Sequence, residues 1–167
     1  ITPGNISFSK TVKVPANTRA EMSIDGIILN NPELWWPNTY GRQPLYTADV
    51  AISAEGTVHD RVSFKFGVRE FTYPIDGNRL SIYCNGIRIL AKGGNWGMDD
   101  GLKMDTPEKY DDKMRLHAEA NFTMIRNWVG MTNHRAFYEA ADKYGILIWD
   151  DFWLANPVDG PNPDDEK

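Results

Sequence analysis

Three stretches decide the fold: Ile89-Leu90-Ala91 leading into Lys92-Gly93-Gly94-Asn95-Trp96, then Met124-Ile125-Arg126-Asn127-Trp128, then Ile146-Leu147-Ile148-Trp149-Asp150-Asp151-Phe152. Each is a short apolar run that ends in polar, charged or aromatic residues. Between them lie two segments with helical periodicity. Thr106-Pro107-Glu108 predicts a helix start, with Thr as N-cap, Pro at the first helical position and an acid in the first turn. Tyr110, Met114, His117 and Ala118 then fall on one face. The second helix is expected to start near Asn133, with Phe137, Ala140, Ala141 and Tyr144 as its apolar stripe and Gly145 at its C-cap. Strand, helix, strand, helix, strand with short joints implies parallel pairing through right-handed crossovers. In a parallel α/β barrel the chemistry is done at the C-terminal strand ends, and three of its eight strands are predicted here.

Upstream the period changes from helical to two. Ile6 to Val14, Thr18 to Leu29, Leu45 to Ile52 and Val58 to Val68 read as four strands, with a turn at Ala54-Glu55-Gly56. Strands in series separated by turn residues suggest an antiparallel sandwich, and four falls short of the roughly seven of an immunoglobulin-like one. Residues 71–90 read as hairpin structure, with turns at Asp76-Gly77-Asn78 and Asn85-Gly86. The tail from Asn156 to Pro163 is turn-rich. The fold expected is therefore multidomain, β plus α/β: an incomplete immunoglobulin-like β-sandwich over residues 1–72, then the first three β/α units of a TIM barrel over residues 73–167.

Composition narrows the function. The formal net charge is −5 and the basic residues are scattered, which argues against nucleic-acid binding, a function that needs a basic patch against phosphates. No run of about 18 apolar residues occurs, so no membrane-spanning helix is expected. The first residue is Ile1 and no signal peptide is visible, which suggests an excised or processed segment. Cys84 is the single cysteine, so neither an intrachain disulfide nor a cysteine zinc site is expected, and its alternation with Ile82 points to packing. The three histidines show no metal spacing, and His117 on an apolar helix face reads as a packing residue. No cofactor is expected. Aromatic residues make up 12% of the chain and include six Trp, which serves either a large core or surfaces on which the C–H faces of sugar rings stack.

Two upstream motifs carry a family resemblance. Leu34-Trp35-Trp36-Pro37-Asn38-Thr39-Tyr40-Gly41-Arg42-Gln43-Pro44-Leu45-Tyr46 resembles the LWWPNGYGxQPLY segment of the sandwich domain in glycoside hydrolase family 2, and Phe66-Gly67-Val68-Arg69-Glu70 resembles the FGxRE strand that follows it. Asn85-Gly86 and the three barrel-like stretches continue the match in the family's order. Arg126-Asn127-Trp128 resembles the R-x-W of the β-mannosidase and exo-β-glucosaminidase branch. The Arg and Ser-His-Tyr-Pro run of β-galactosidase-like and β-glucuronidase-like members is absent. Asn95-Trp96-Gly97-Met98-Asp99-Asp100 keeps the Asn, Trp and final Asp of the N-W-x-P-x-D pattern of β-mannosidases and lacks its Pro.

The resemblance implies a retaining hydrolase of terminal β-linked sugars, in which two glutamates act as acid/base and nucleophile. In the family these follow barrel strands four and seven, so neither catalytic carboxylate is assigned to this sequence and the fragment itself is expected to be inactive. Arg126 is implied as a cation near the nucleophile; the plainer alternative is a surface salt bridge. Asp100, or Asp99, would accept a hydrogen bond from a sugar hydroxyl. Trp96 and Trp128 would form an apolar wall around the ring or belong to the core. Asp150 and Asp151 point to opposite faces of a strand, so one would face the barrel mouth and the other bond to neighbouring backbone, with Asp151 kept as a supporting residue. Trp149 reads as core, Trp153 as lining or covering the mouth, and Trp35-Trp36-Pro37 as a structural wedge in the sandwich. The substrate class implied is a β-glycoside, β-mannoside or β-glucosaminide by preference. β-Galactosidase-like or β-glucuronidase-like specificity and a noncatalytic carbohydrate-binding or structural module are the rivals. A parent in a secreted or periplasmic setting, and self-association through exposed sheet edges, complete the expectations.

Overall fold

The computed structural model describes residues 1–97 and 105–152. It divides into two compact units: Ile1–Glu33 with Tyr46–Phe66, and Leu34–Leu45 with the residues from Gly67 onward.

The first unit is built on an antiparallel hairpin of β1 (Tyr46–Ala54) and β2 (Thr57–Phe66), closed by Glu55 and Gly56, both at positive φ. Tyr46 and Ala48 are buried, and the Tyr46 and Phe66 rings stack at 5.8 Å. The strands expected over Ile6–Val14 and Thr18–Leu29 are not formed. A β-strand exists only with a ladder partner, and the N-terminal segment makes one isolated bridge, Thr2 to Thr47. Its apolar side chains, Phe8, Val12 and Ile24 among them, are accordingly exposed.

The second unit holds short hairpins and a parallel sheet. Strands β3 (Phe71–Thr72), β6 (Ile82–Cys84) and β7 (Ile87–Ile89) form one antiparallel sheet, and β4 (Ile75–Asp76) pairs with β5 (Arg79–Leu80) across the Gly77-Asn78 turn. Asn85 and Gly86, both at positive φ, make the tight β6–β7 turn. Cys84 is fully buried, as its alternation predicted.

The parallel sheet has the order β10-β9-β8, from β8 (Gly93–Trp96), β9 (Met124–Asn127) and β10 (Leu147–Asp150), with helices α1 (Pro107–Glu119) and α2 (Arg135–Tyr144) in the connections. Thr106 caps α1 by accepting from the Lys109 N–H, with Pro107 at the first helical position. The second helix begins two residues later than expected, because the His134 ring accepts from the Ala136 N–H and serves as its cap. One face of the sheet is sealed by the helices: Trp96, Ile125 and Ile146 pack with Tyr110, Met114, Phe137, Ala140 and Ala141. Thr123, fully buried, ties the strand starts together; its hydroxyl donates to the Leu90 carbonyl and accepts from the Lys92 N–H. A Cβ at Gly93 would overlap the Met124 carbonyl oxygen, so the β8–β9 contact admits only glycine there.

Within this second unit the Trp35-Trp36-Pro37 segment is tied down by several contacts. Trp35 is 1% exposed, its indole N–H donates to the Asp142 carbonyl, and the Arg69 guanidinium lies 4.2 Å from its ring centre. The Asn38 amide donates to the carbonyls of Ala118 (2.8 Å) and Phe122 (2.9 Å), and the Asn38 main-chain N–H donates to the Gly145 carbonyl (2.7 Å). One segment thus satisfies carbonyls at the C-terminal ends of both helices, which a helix alone leaves unbonded. Gly145, at φ 76°, presses against Asn38: a Cβ there would sit 2.6 Å from the Asn38 nitrogen.

Asn38→Ala removes two side-chain hydrogen bonds and is expected to lower unfolding free energy by about 1–3 kcal/mol. Urea denaturation of the variant beside the parent protein checks this. A change below about 0.5 kcal/mol would sink the bridging role assigned to Asn38.

Candidate functional site

Alternation along β9 divides its residues between two environments. Ile125 and Asn127 face the helices and are buried, whereas Met124 and Arg126 face away from them. Pairing extends this second face to Asn95 on β8 and Trp149 on β10, both in register with Arg126. Asn95, Met124, Arg126 and Trp149, with Ala91, Gly93 and Gly94, line an open hollow of 330 Å³. The expectation that Trp149 belongs to the core is not met: the residue is 47% exposed on this uncovered face.

At the C-terminal end of that face Arg126 and Asp151 meet side-on. Arg126 Nε donates to Asp151 Oδ1 at 2.9 Å and Nη2 to Oδ2 at 2.5 Å. The Val129 main-chain N–H adds a third hydrogen bond to Oδ2 at 3.2 Å. Arg126 remains 46% exposed, whereas the Asp151 side chain is 18% exposed. A planar guanidinium gripped along one edge keeps its other edge for a ligand, with its direction fixed. The hydrogen bonds from Arg126 hold the Asp151 carboxyl below its ordinary value; desolvation opposes them and the Val129 N–H reinforces them. Asp151 in turn raises the Arg126 pKa, so the guanidinium stays charged.

The turn after β9 is strained. Trp128–Gly130 form a single 3-10 turn in which Val129 has φ 50° and ψ 28°. A β-branched residue in the left-handed region costs on the order of 1–3 kcal/mol. The turn leaves Trp128 47% exposed.

Asp150 faces the other way, as alternation requires. It accepts from the Asn127 amide at 2.7 Å and from the Tyr138 hydroxyl at 3.2 Å, so of the two carboxylates it is Asp151, on the open face, that also bonds neighbouring backbone. Burial, then the Asp150 charge, raises the Tyr138 pKa. Asn127 is fully buried and also bonds both the carbonyl and the N–H of Thr132.

Of the residues singled out in the sequence, Arg126, Trp128 and Asp151 lie together around this turn. Trp96 does not join them. It is 3% exposed and packs 5.0 Å from Phe137 and 6.2 Å from Tyr110 on the helix-covered face, because its position in β8 has the same parity as Asn127 in β9. The structure thus places it in the core, the second of its two sequence readings. Asp99, Asp100 and Trp153 lie outside the described residues. His117 packs edge-on against Phe122 and its Nδ1 hydrogen-bonds to the Lys113 carbonyl. Among the described residues no group of three or more His, Cys, Asp or Glu is placed to hold a metal ion, and no helix is long and apolar enough to cross a membrane. Sequence reasoning singled out Asp150 but missed its partners Asn127, Tyr138 and Thr132; a polar Asn at the helix-facing parity of β9 was the signal for a buried network.

Comparison with known proteins agrees with the motifs. Residues 4–69 match the family model described as Glycosyl hydrolases family 2. A mannosylglycoprotein endo-β-mannosidase from Lilium longiflorum is 35% identical over 154 residues, covering 89% of this chain and 16% of the lily protein. An exo-β-D-glucosaminidase from Streptomyces avermitilis is 33% identical over 163 residues, covering 94% of this chain and 18% of its own length. Among solved structures, a β-D-mannosidase from Dictyoglomus thermophilum superposes with a TM-score of 0.64 at 35% identity, over 74% of this chain and 16% of that one. The exo-chitosanase of Amycolatopsis orientalis superposes with a TM-score of 0.67 at 27% identity, over 72% and 14%. The chain spans less than a fifth of the length of the curated relatives named here. By its motifs, by the family model and by these relatives, the chain belongs to glycoside hydrolase family 2.

Proposed function

We propose that this chain is part of a retaining glycoside hydrolase that removes terminal β-linked sugars, β-mannosides or β-glucosaminides by preference. In this reading residues 1–72 are the end of an immunoglobulin-like sandwich and residues 73–167 are the first three β/α units of a TIM barrel. The observation that carries the reading is the Arg126–Asp151 pair at the ends of two parallel strands, on the face the helices leave open. That is where a β/α barrel keeps its chemistry. The names of the relatives, a β-mannosidase and an exo-β-glucosaminidase among them, support the choice of sugars.

The roles follow from the chemistry. Arg126, charged and aimed by Asp151, holds a catalytic carboxylate ionised. Trp128 offers its exposed indole to the apolar face of the sugar. Asp100 or Asp99 accepts from a sugar hydroxyl. The acid/base and nucleophilic glutamates, about 5–5.5 Å apart in a retaining enzyme, are assigned to other parts of the parent protein, so the 167-residue chain by itself is inactive. Strands β8 and β10 are the edges of the described parallel sheet and Trp149 is exposed on its open face, so the isolated chain self-associates.

Three results test this. Hydrolysis of aryl β-mannoside, glucosaminide, galactoside and glucuronide is measured for the parent and for this chain alone. Release of mannose or glucosamine by the parent only is expected, and Arg126→Ala is expected to lower that kcat/KM by about a hundredfold to a thousandfold; binding without hydrolysis by the parent would favour a noncatalytic module. Sedimentation of the isolated chain is expected to show oligomers, against which a monomer at all concentrations would count. The third is pH dependence. The folded-state pKa of Asp151 is depressed, so its stabilisation is present above the ordinary carboxylate value of about 4 and is lost as pH falls through the folded value. Asp151→Asn is expected to flatten the acid side of the stability–pH curve, and an unchanged acid side would show that the pair is not formed in solution.

A further inference from the structure

Asn127 holds a position that a polar side chain rarely occupies. It is fully buried on the helix-facing side of β9, yet every polar atom of its amide has a partner. Oδ1 accepts from the Thr132 N–H at 3.3 Å, and Nδ2 donates to the Thr132 carbonyl at 2.8 Å and to Asp150 Oδ1 at 2.7 Å. Thr132 is anchored in turn: its hydroxyl lies 2.9 Å from the Tyr110 hydroxyl on α1 and accepts from the His134 N–H. Asp150 is held by Tyr138 on α2. One amide therefore closes the 127–132 turn at both ends and fastens it to β10, while the anchors of its partners reach both helices.

Inside that closed turn sits Val129, in a left-handed conformation that a β-branched side chain resists. The conformation aims its N–H at Asp151 Oδ2, the same oxygen that Arg126 Nη2 holds. We propose that Asn127 is a positioning residue, whose buried amide holds the strained Val129 turn so that Asp151, and through it the Arg126 guanidinium, keeps one orientation. The proposal rests on the glycosidase reading for its kinetic consequence and not for its structural one. The charged and titratable groups around the turn are Arg126 and Asp151 on the open face, and Asp150, Tyr138, Tyr110 and His134 on the helix side.

The test uses the full-length protein that carries this sequence. Asn127→Ala is expected to lower kcat by about a hundredfold while KM moves less than about threefold, the split that misplaced charge gives. Adding Val129→Gly should recover most of that loss, because glycine takes positive φ without the clamp. An Asn127→Ala enzyme with unchanged kcat would overturn the proposal, and so would a loss that Val129→Gly does not recover. Should the wild-type protein hydrolyse no glycoside, the functional reading fails and this one is still decided, by amide hydrogen exchange. Exchange over 128–132 should quicken in Asn127→Ala while α1 and α2 keep wild-type rates. Unchanged exchange, or acceleration spread over both helices, overturns it. Where Asn127→Ala does not fold, Val129→Gly alone carries the test. Relief of strain raises its melting temperature, and a lowered one shows that the turn was never held against its preference.

Discussion

Helix ends have to be satisfied, and that constraint organises the second unit. Two helices lie on one face of a three-stranded sheet, and each ends in carbonyls without intrahelical partners. Local N–H groups of Ala120, Asn121, Phe122 and Ile146 satisfy some of them, and a segment more than seventy residues upstream supplies further donors. Asn38 reaches the end of α1 through its side chain and the end of α2 through its main chain, while the Trp35 indole reaches the last turn of α2. The apolar contacts between the helices would fix their distance; these directional bonds fix where along their axes they stop. The strands that follow the helices inherit that placement, and with it the positions of Arg126 and Asp151.

The two faces of the sheet divide the work. On the covered face, the Asn127 amide is fully paired within the Asn127–Thr132–Asp150–Tyr138 network, as burial away from water demands, whereas the buried Trp96 indole N–H has no partner among the described residues. On the open face an ion pair sits half in solvent, where Coulomb energy is modest and orientation is the main return. The strained Val129 turn lies where the two faces meet. Strain of this kind persists only where the surroundings determine it more than once, and the buried network is what does so here.

Much of this was legible in the sequence because it rests on local chemistry. The Thr106-Pro107 cap, the Gly145 C-cap, the Asn85-Gly86 turn and the helix stripes each depend on residues within a few positions, and all appear where the pattern places them. Arg126 was found through its motif, and Asp151 through its motif and strand alternation. What was not legible depended on partners. Ile6–Val14 alternates like a strand but forms no ladder among the described residues. Trp96 and Arg126 both sit near strand ends, yet opposite parity buries one and exposes the other, and parity cannot be read until the register is known. Trp35 was read as a sandwich wedge through its motif, and its contacts with Val68 and Arg69 lie within that segment; its bond to the Asp142 carbonyl, 107 residues along, had no signal in the sequence.

The long reach of Trp35 has a consequence in time. Its indole bonds a carbonyl 107 residues later. At a synthesis rate of about 5–20 residues per second, roughly 5–20 s separate the appearance of the two partners. During that interval two tryptophans and a proline await a surface not yet made. Non-local closure of this kind slows folding, so the nascent chain carries a sticky aromatic segment for seconds before its docking site exists. The residues that finish the native unit are thus also the ones whose early exposure calls for protection.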